Sequence, residues 1–333
     1  MKKMIIIFSA LLLMLCSCQR RPLLEIEHNT RVKVRVNLEA IANVTCDVYN
    51  EKVQVPAIEP VAMHALFYDY DTEKIASEAF LSEIAVDGDG VRSVSGSISL
   101  LPGNYKMLIY DFGTEATIVK DYYKWKECVA YTEEISPALK KSFASKAGIE
   151  DSYIVYEPDH LVVAKNEKEF VPYHDDVHTI SVDARSVVES YYLQIKVQGL
   201  EYVASAQALL SGMVSSNKIS SDTKVVDPEA TLWFSLEKSD DQGVPVICAV
   251  FNTFGRIDRS TNNLEVTFDI KTHDGQVVQE VFDISDLFLT PECIEHHWLL
   301  LDQEIVVPPP LSSGGGFAPE VNDWEEEKSE IIL

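Results

Sequence analysis

The chain is short of positive charge. Its 333 residues carry 53 acids against 28 lysines and arginines, a formal net charge of −25. Little in such a chain can neutralise phosphates, which argues against a nucleic-acid partner and against lying flat on an anionic lipid surface. Cysteine is scarce: six residues, none in a C-x-x-C or cysteine–histidine zinc spacing. G-x-S-x-G, Walker and G-x-G-x-x-G motifs are all missing, which removes the commonest hydrolase and nucleotide-binding signatures. Beyond residue 18 no apolar run reaches membrane-spanning length. What is present is a 46% hydrophobic composition, too rich for a disordered chain and enough for one large or two medium domains.

The first residues determine where the chain works. Lys2 and Lys3 precede an apolar run from Met4 to Leu15, too short to span a bilayer, and Leu15-Cys16-Ser17-Cys18 follows. This resembles the lipobox of bacterial lipoproteins, which implies a signal peptide at 1–17 and a mature chain beginning at an acylated Cys18. An ordinary secretory signal would favour an A-x-A-like cut, which is absent. Cys16 is the weaker candidate, because Leu15 is a poor residue before a cut. Several acyl chains make a stable anchor, each buried methylene contributing about 0.8 kcal/mol. Cleavage removes Lys2 and Lys3 and no acid, leaving a net charge of −27. The implied partner is therefore the lipid bilayer, reached through Cys18. Gln19-Arg20-Arg21 lacks the acidic residues that would resemble a surface-export signal, so either face of the outer membrane stays open.

The dominant period along the chain is two. Arg31 to Leu38 alternates charged or amide residues with valines and a leucine, and Leu264 to Lys271 and Leu193 to Val197 behave alike. Such half-buried strands belong to antiparallel sheets with one wet face. Turn chemistry separates them: Asp87-Gly88-Asp89-Gly90, Leu101-Pro102-Gly103-Asn104 and His273-Asp274-Gly275-Gln276, the last joining 265–272 to 277–284 as a hairpin. One short helix is expected, from Ser136 to Ala147, with Ser136 as its cap and Pro137 in its first turn. The fold expected is all-β, two sandwiches spanning 30–185 and 186–307 behind a tether at 18–29. Residues 308–333 begin with Pro308-Pro309-Pro310, pass through Gly314-Gly315-Gly316 and end in Ile331-Ile332-Leu333. That reads as a stiff segment, a hinge and an apolar terminus suited to a groove or a sheet edge, so Ile331, Ile332 and Leu333 are a candidate donor strand.

Several segments carry a family resemblance: the lipobox, Leu101 to Asp111, Glu157 to Ala164, Ser205 to Met213, Asn252 to Arg256, and Gly314 to Phe317 with Asp323-Trp324. Together they resemble a Bacteroidales family of uncharacterised lipoproteins related to fimbrillins and fimbrial anchor subunits. The resemblance implies two tandem transthyretin-like β-sandwich domains. It also implies assembly with other fimbrial subunits by strand donation, and anchor-type members that keep their lipid. It identifies no residue that acts in assembly.

No catalytic site, cofactor or metal is expected. His174-Asp175-Asp176-Val177-His178 offers metal-ligand chemistry but reads as a polar loop before a strand. Asp87 to Gly90 lacks the later bidentate glutamate of a calcium loop, and His296-His297 sits before an apolar strand. Tyr122-Tyr123, Trp125, Tyr191-Tyr192 and Trp233 could line a sugar-binding face but suit a sandwich core. In an oxidising envelope Cys46 with Cys128, and Cys248 with Cys293, are plausible disulfides, with buried thiols as the alternative. The function read from the sequence is a non-enzymatic fimbrial subunit or anchor. The alternative is a glycan- or protein-binding surface lipoprotein unrelated to pili.

Overall fold

The valines that alternate from residue 31 become an inward row, Val32, Val34 and Val36 fully buried, with Arg31, Lys33 and Arg35 on the wet face. The computed structural model describes residues 29–38, 58–147, 152–173, 176–257 and 264–310. Its first strands are β1 (Thr30–Asn37), β2 (Met63–Asp69), β3 (Ile75–Leu81), β4 (Glu83–Val86), β5 (Arg92–Leu100) and β6 (Gly103–Asp111). Next come β7 (Thr117–Lys120), β8 (Val129–Thr132), β9 (Tyr153–Tyr156), β10 (Val162–Val171), β11 (His178–Asp183) and β12 (Arg185–Ser186). After them run β13 (Glu189–Gln198), β14 (Val203–Met213), β15 (Ser216–Lys218), β16 (Thr223–Val225) and β17 (Ala230–Asp241). The last are β18 (Val244–Thr253), β19 (Glu265–Thr272), β20 (Val277–Asp283) and β21 (Trp298–Val306). The expected all-β character holds.

Two sheets face each other in the first half, β11-β1-β5-β4 and β12-β10-β6-β2-β3. Val34, Val94 and Ile180 of one meet Phe67, Met107 and Val162 of the other in a shared core. The second of these sheets is buried on its other face too, where Leu66, Tyr68, Leu108 and Val163 pack against Trp125, Cys128, Val214 and Phe254. This explains why β2 shows no alternation: Met63 to Tyr68 are all buried. A strand covered on both faces reads as a continuous apolar run.

Seven strands of the second half join into one sheet, β20-β19-β14-β17-β18-β13-β21, with β9 as an eighth on β17, curled nearly into a barrel around Leu193, Phe234, Phe251 and Phe268. The sheet is continuous because β17 serves both halves of it. Ala230 to Leu236 pair with β14, and Glu237 to Asp241 pair with β18. A 3₁₀ turn, Ser285–Leu289, carries the chain from β20 toward β21 and buries Phe288 in the barrel core.

The helix α1 (Pro137–Ala147) forms where expected, and Ser136 Oγ accepts from the Leu139 N–H at 3.2 Å. The expectation of a single helix is corrected. A second helix, α2 (Pro291–His296), begins at Thr290, whose hydroxyl accepts from the Cys293 N–H, with Pro291 in its first turn. Thr-Pro is a legible start signal, but the segment is one and a half turns long and carries no helical period to draw attention to it. The Asp-Gly hairpin between β19 and β20 is as read, with Gly275 at φ 84° closing a turn through the Gly275 N–H to Thr272 O. Such a φ suits glycine, which has no Cβ to clash.

Strands from before and after residue 185 share sheets. β15 pairs with β8, and β9 lies parallel to β17. Asp222, on the loop between β15 and β16, binds Lys165 at 2.6 Å and Arg185. Burial would raise the Asp222 pKa, but these two cations hold it below the ordinary aspartate value. The described chain should therefore melt in one calorimetric transition. Ile219→Ala, which empties a fully buried site shared by both halves, should cost about 2–5 kcal/mol without dividing that transition. Two resolved transitions would mean that the shared sheets do not couple the halves.

Candidate functional site

The sheet opens where β17 changes partners. On one edge of β17, β9 covers Ala230 to Trp233 and β18 covers Glu237 to Asp241. Beyond Cys248, among the described residues, β18 keeps only β13 beside it, so a cleft of about 1010 Å³ separates β17 from β18. Ser235, Glu237, Val250 and Asn252 line it, together with the segment Tyr156 to His160 that leads from β9 toward β10. Glu157 fills the gap beside β18 and its Oε2 accepts the Asn252 backbone N–H at 3.0 Å. By strand alternation the N–H and C=O of Val250 turn the same way as those of Asn252. Two of the segments that carried the family resemblance, 157–164 and 252–256, thus meet at this contact.

The polar groups of the cleft are held in place. Asp159 Oδ2 accepts backbone N–H groups from Glu115 at 2.7 Å, Ala116, and Thr117 at 3.1 Å, tying this segment to the loop after β6. On the other wall the Tyr192 hydroxyl donates to Gln194 Oε1 at 2.6 Å, and Gln194 Nε2 donates to Asp241 at 3.0 Å. Burial pushes the Glu157 carboxyl up to about 7, aided by the nearby Asp159 charge and opposed by the Asn252 hydrogen bond. Burial also lowers the His160 pKa against the pull of Asp159, and among the described residues neither ring nitrogen of His160 has a hydrogen-bond partner. The arrangement presents hydrogen-bonding strand edges and one protonatable carboxyl. Among the described residues no cluster of three or more His, Cys, Asp or Glu could hold a metal ion.

Cys18, Cys46, His174, Asp175, Ile331, Ile332 and Leu333 lie outside the described residues. Of the two alternatives for Cys248 and Cys293, the thiols hold: both are unbridged, as is Cys128. The pleat explains it. Ile247, Ala249 and Phe251 point into the barrel core, so Cys248 faces out into the cleft, whereas Cys293 is buried in that core from α2. Burial pushes the Cys128 thiol up to about 12 and Cys293 up to about 11.

Asp87 caps a hairpin turn, accepting from the Asp89 and Val91 N–H groups. His297 ends α2 and its Nδ1 lies 3.0 Å from Ser190 O, just before β21. Trp125 and Tyr191 are core residues, and Trp233 packs edge-on to Tyr156 beside α1, while Tyr123 is exposed. Gly212, at φ 75°, sits in a bulge of β14 between Leu210 and Met213. Sequence reasoning missed Glu157 as a site residue. Its signal was an acid just after the apolar Tyr153-Ile154-Val155-Tyr156, but burial of that acid depends on β18, nearly a hundred residues later.

Glu157 sets a pH dependence. A carboxyl whose folded pKa lies above its unfolded value holds its proton more tightly in the folded state. Its contribution is fully present below the ordinary value of 4.5 and is lost as pH rises to about 7. Glu157→Gln keeps the acceptor for Asn252 without the charge, so the variant should be more stable than the parent at pH 8 and match it near pH 4.5. Parallel melting-temperature profiles for the two would contradict a buried, protonatable Glu157.

Residues 17–235 match the family described as a domain of unknown function, DUF5119. A Bacteroides ovatus protein named "Putative fimbrium anchoring subunit Fim4B" is 22% identical over 251 residues, covering 75% of this chain and 64% of that protein. The match thus spans less than two thirds of that relative. A crystal structure of a "putative adhesin" from Bacteroides ovatus superposes with a TM-score of 0.59 at 18% identity, covering 88% of this chain and 97% of the other, and shares its fold. The fimbrial anchor protein Mfa2 from Porphyromonas gingivalis gives a TM-score of 0.47 at 11% identity over 84% and 90% of the two chains. The family match covers about two thirds of the sequence, including Glu157 and the part of β17 up to Ser235, and on that extent the chain belongs to the DUF5119 family.

Proposed function

We propose that this chain is a non-enzymatic lipoprotein of the cell envelope, a fimbrial subunit or anchor that works by β-strand addition. It is held at the outer membrane by acylated Cys18. The observation that carries this reading is the open edge of β18 beside β17, where a side chain, Glu157, stands in for the strand that would complete the sheet. Unpaired strand edges are templates for an added strand, and main-chain hydrogen bonds supply affinity when one arrives. The names borne by relatives, a fimbrium anchoring subunit and an adhesin, point the same way.

In this reading residues 30–185 and 186–307 are two transthyretin-like domains. Residues 308–333 are the hinge and tail that bring Ile331, Ile332 and Leu333 to a groove, in this molecule or in a neighbouring fimbrial subunit. Burying one such side chain contributes roughly 1.5–3 kcal/mol. Pro308 to Pro310 are exposed at the end of the described chain, and Val307 before them is pinned by its N–H to Gln198 O.

Two measurements test this. Cys18→Ala should lose palmitate labelling in cells and move the protein from the membrane to the soluble fraction; labelling that persists sinks the anchor. Truncation after Pro310 should lower the melting temperature by several degrees or abolish a complex with fimbrial subunits. If stability and every assembly are unchanged, the tail is a spacer and strand addition by it is wrong.

A further inference from the structure

A second surface lies on the first half of the chain. Its floor is His64 on β2. The Phe80 ring stacks flat on the imidazole, with centroids 4.6 Å apart and planes 13° apart, and the rings of Tyr110, Phe112 and Tyr122 meet it edge-on at 5.4 to 5.8 Å. Tyr123 in turn stacks on Tyr122 at 4.6 Å. His64 is itself buried and held at both nitrogens. Its Nε2 donates to Glu78 Oε2 at 2.9 Å, and its Nδ1 lies 2.8 Å from the Tyr110 hydroxyl. Its orientation is therefore set before any ligand arrives.

The outer rings of this stack are open to water: Phe80 and Phe112 are each 56% exposed and Tyr123 is 65% exposed. Phe80 stacks on His64 and Tyr123 stacks on Tyr122, so each is held by a ring beneath while more than half of it stays exposed. Polar groups sit among them, the half-exposed Glu78 carboxylate and the Tyr122 and Tyr123 hydroxyls, 3.4 Å apart.

We propose that Phe80, Phe112 and Tyr123 form a binding platform for a neutral saccharide. An aromatic face carries negative charge density, which attracts the weakly positive C–H groups on the apolar face of a pyranose. The carboxylate and phenolic hydroxyls then accept and donate to the sugar's hydroxyls. Size favours a small ligand. Three rings exposed to this degree offer on the order of 300 Å², well short of the roughly 800 Å² that each partner buries in a stable protein interface. Charge favours a neutral sugar over an acidic one, because Glu78 would repel a second carboxylate.

The test is a microarray of neutral oligosaccharides probed with the chain from residue 19 onward, each hit then titrated by calorimetry in 50 mM and 500 mM salt. Binding should be insensitive to salt. Phe80→Ala and Tyr123→Ala should each weaken it at least tenfold with the melting temperature kept, and Phe80→Tyr should restore it. A chain that retains no neutral oligosaccharide, or binds equally well as the Phe80→Ala/Tyr123→Ala double variant, overturns the proposal. So does binding confined to cationic ligands and lost in 500 mM salt, which would make the rings and Glu78 a cation site. None of these outcomes bears on strand addition at the β17–β18 cleft, which involves none of these residues.

Discussion

Burial of one sheet on both faces is the constraint on which the rest of the structure depends. The sheet β12-β10-β6-β2-β3 turns one face to the strands around β1 and β5 and the other to Trp125, Val214 and Phe254. Because the second face gathers residues from either side of position 185, packing there sets how the two halves of the chain meet. It also places the cleft. The segment from Tyr156 to Leu161 must step from β9, which is paired with β17 in the barrel, to β10, which is paired with β6 in the doubly buried sheet. That step carries Glu157 to the edge of β18 and Asp159 to the N–H groups of the loop after β6.

A long strand shared by two partners has a physical consequence. β17 lies beside β14 over Ala230 to Leu236 and beside β18 over Glu237 to Asp241. The partners change at Leu236 and Glu237, and the edge of β18 beyond Cys248 is left beside a gap. A buried carboxyl is an expensive way to satisfy one backbone N–H, since burial opposes its charge. Its raised pKa records that tension. A backbone strand would satisfy the same edge without a charge, which is the physical basis for reading the cleft as a place for strand addition.

The aromatic surface follows another rule. A histidine bound at both ring nitrogens is rigid, and rings stacked on it inherit that rigidity. The cluster draws on β2, β3, the end of β6 and the turn before Trp125, so no short stretch of chain contains it. The two surfaces differ in chemistry as in position: one offers main-chain edges and acids, the other ring faces with a few polar groups between them.

The sequence by itself determined whatever depends on neighbours close along the chain. Period-two alternation announced β1, β13 and β19 because each of these strands turns one apolar row to a core, and Asp274-Gly275 announced its hairpin because glycine takes the turn's positive φ without strain. Ser136 announced α1 through a cap that bonds within three residues. Tertiary structure alone decided the rest. β2 carries no alternation because both of its faces are covered by distant strands, and α2 is too short to show a period. Cys248 and Cys293 stay apart because the pleat turns one out of the barrel and the other lies within it. Glu157 and His64 look like ordinary polar residues in the sequence, and they acquire their roles from Asn252, 95 residues away, and from Tyr110, 46 residues away. Burial and hydrogen bonding across such separations are properties of the folded chain, since they depend on which strands lie side by side and not on which residues follow one another.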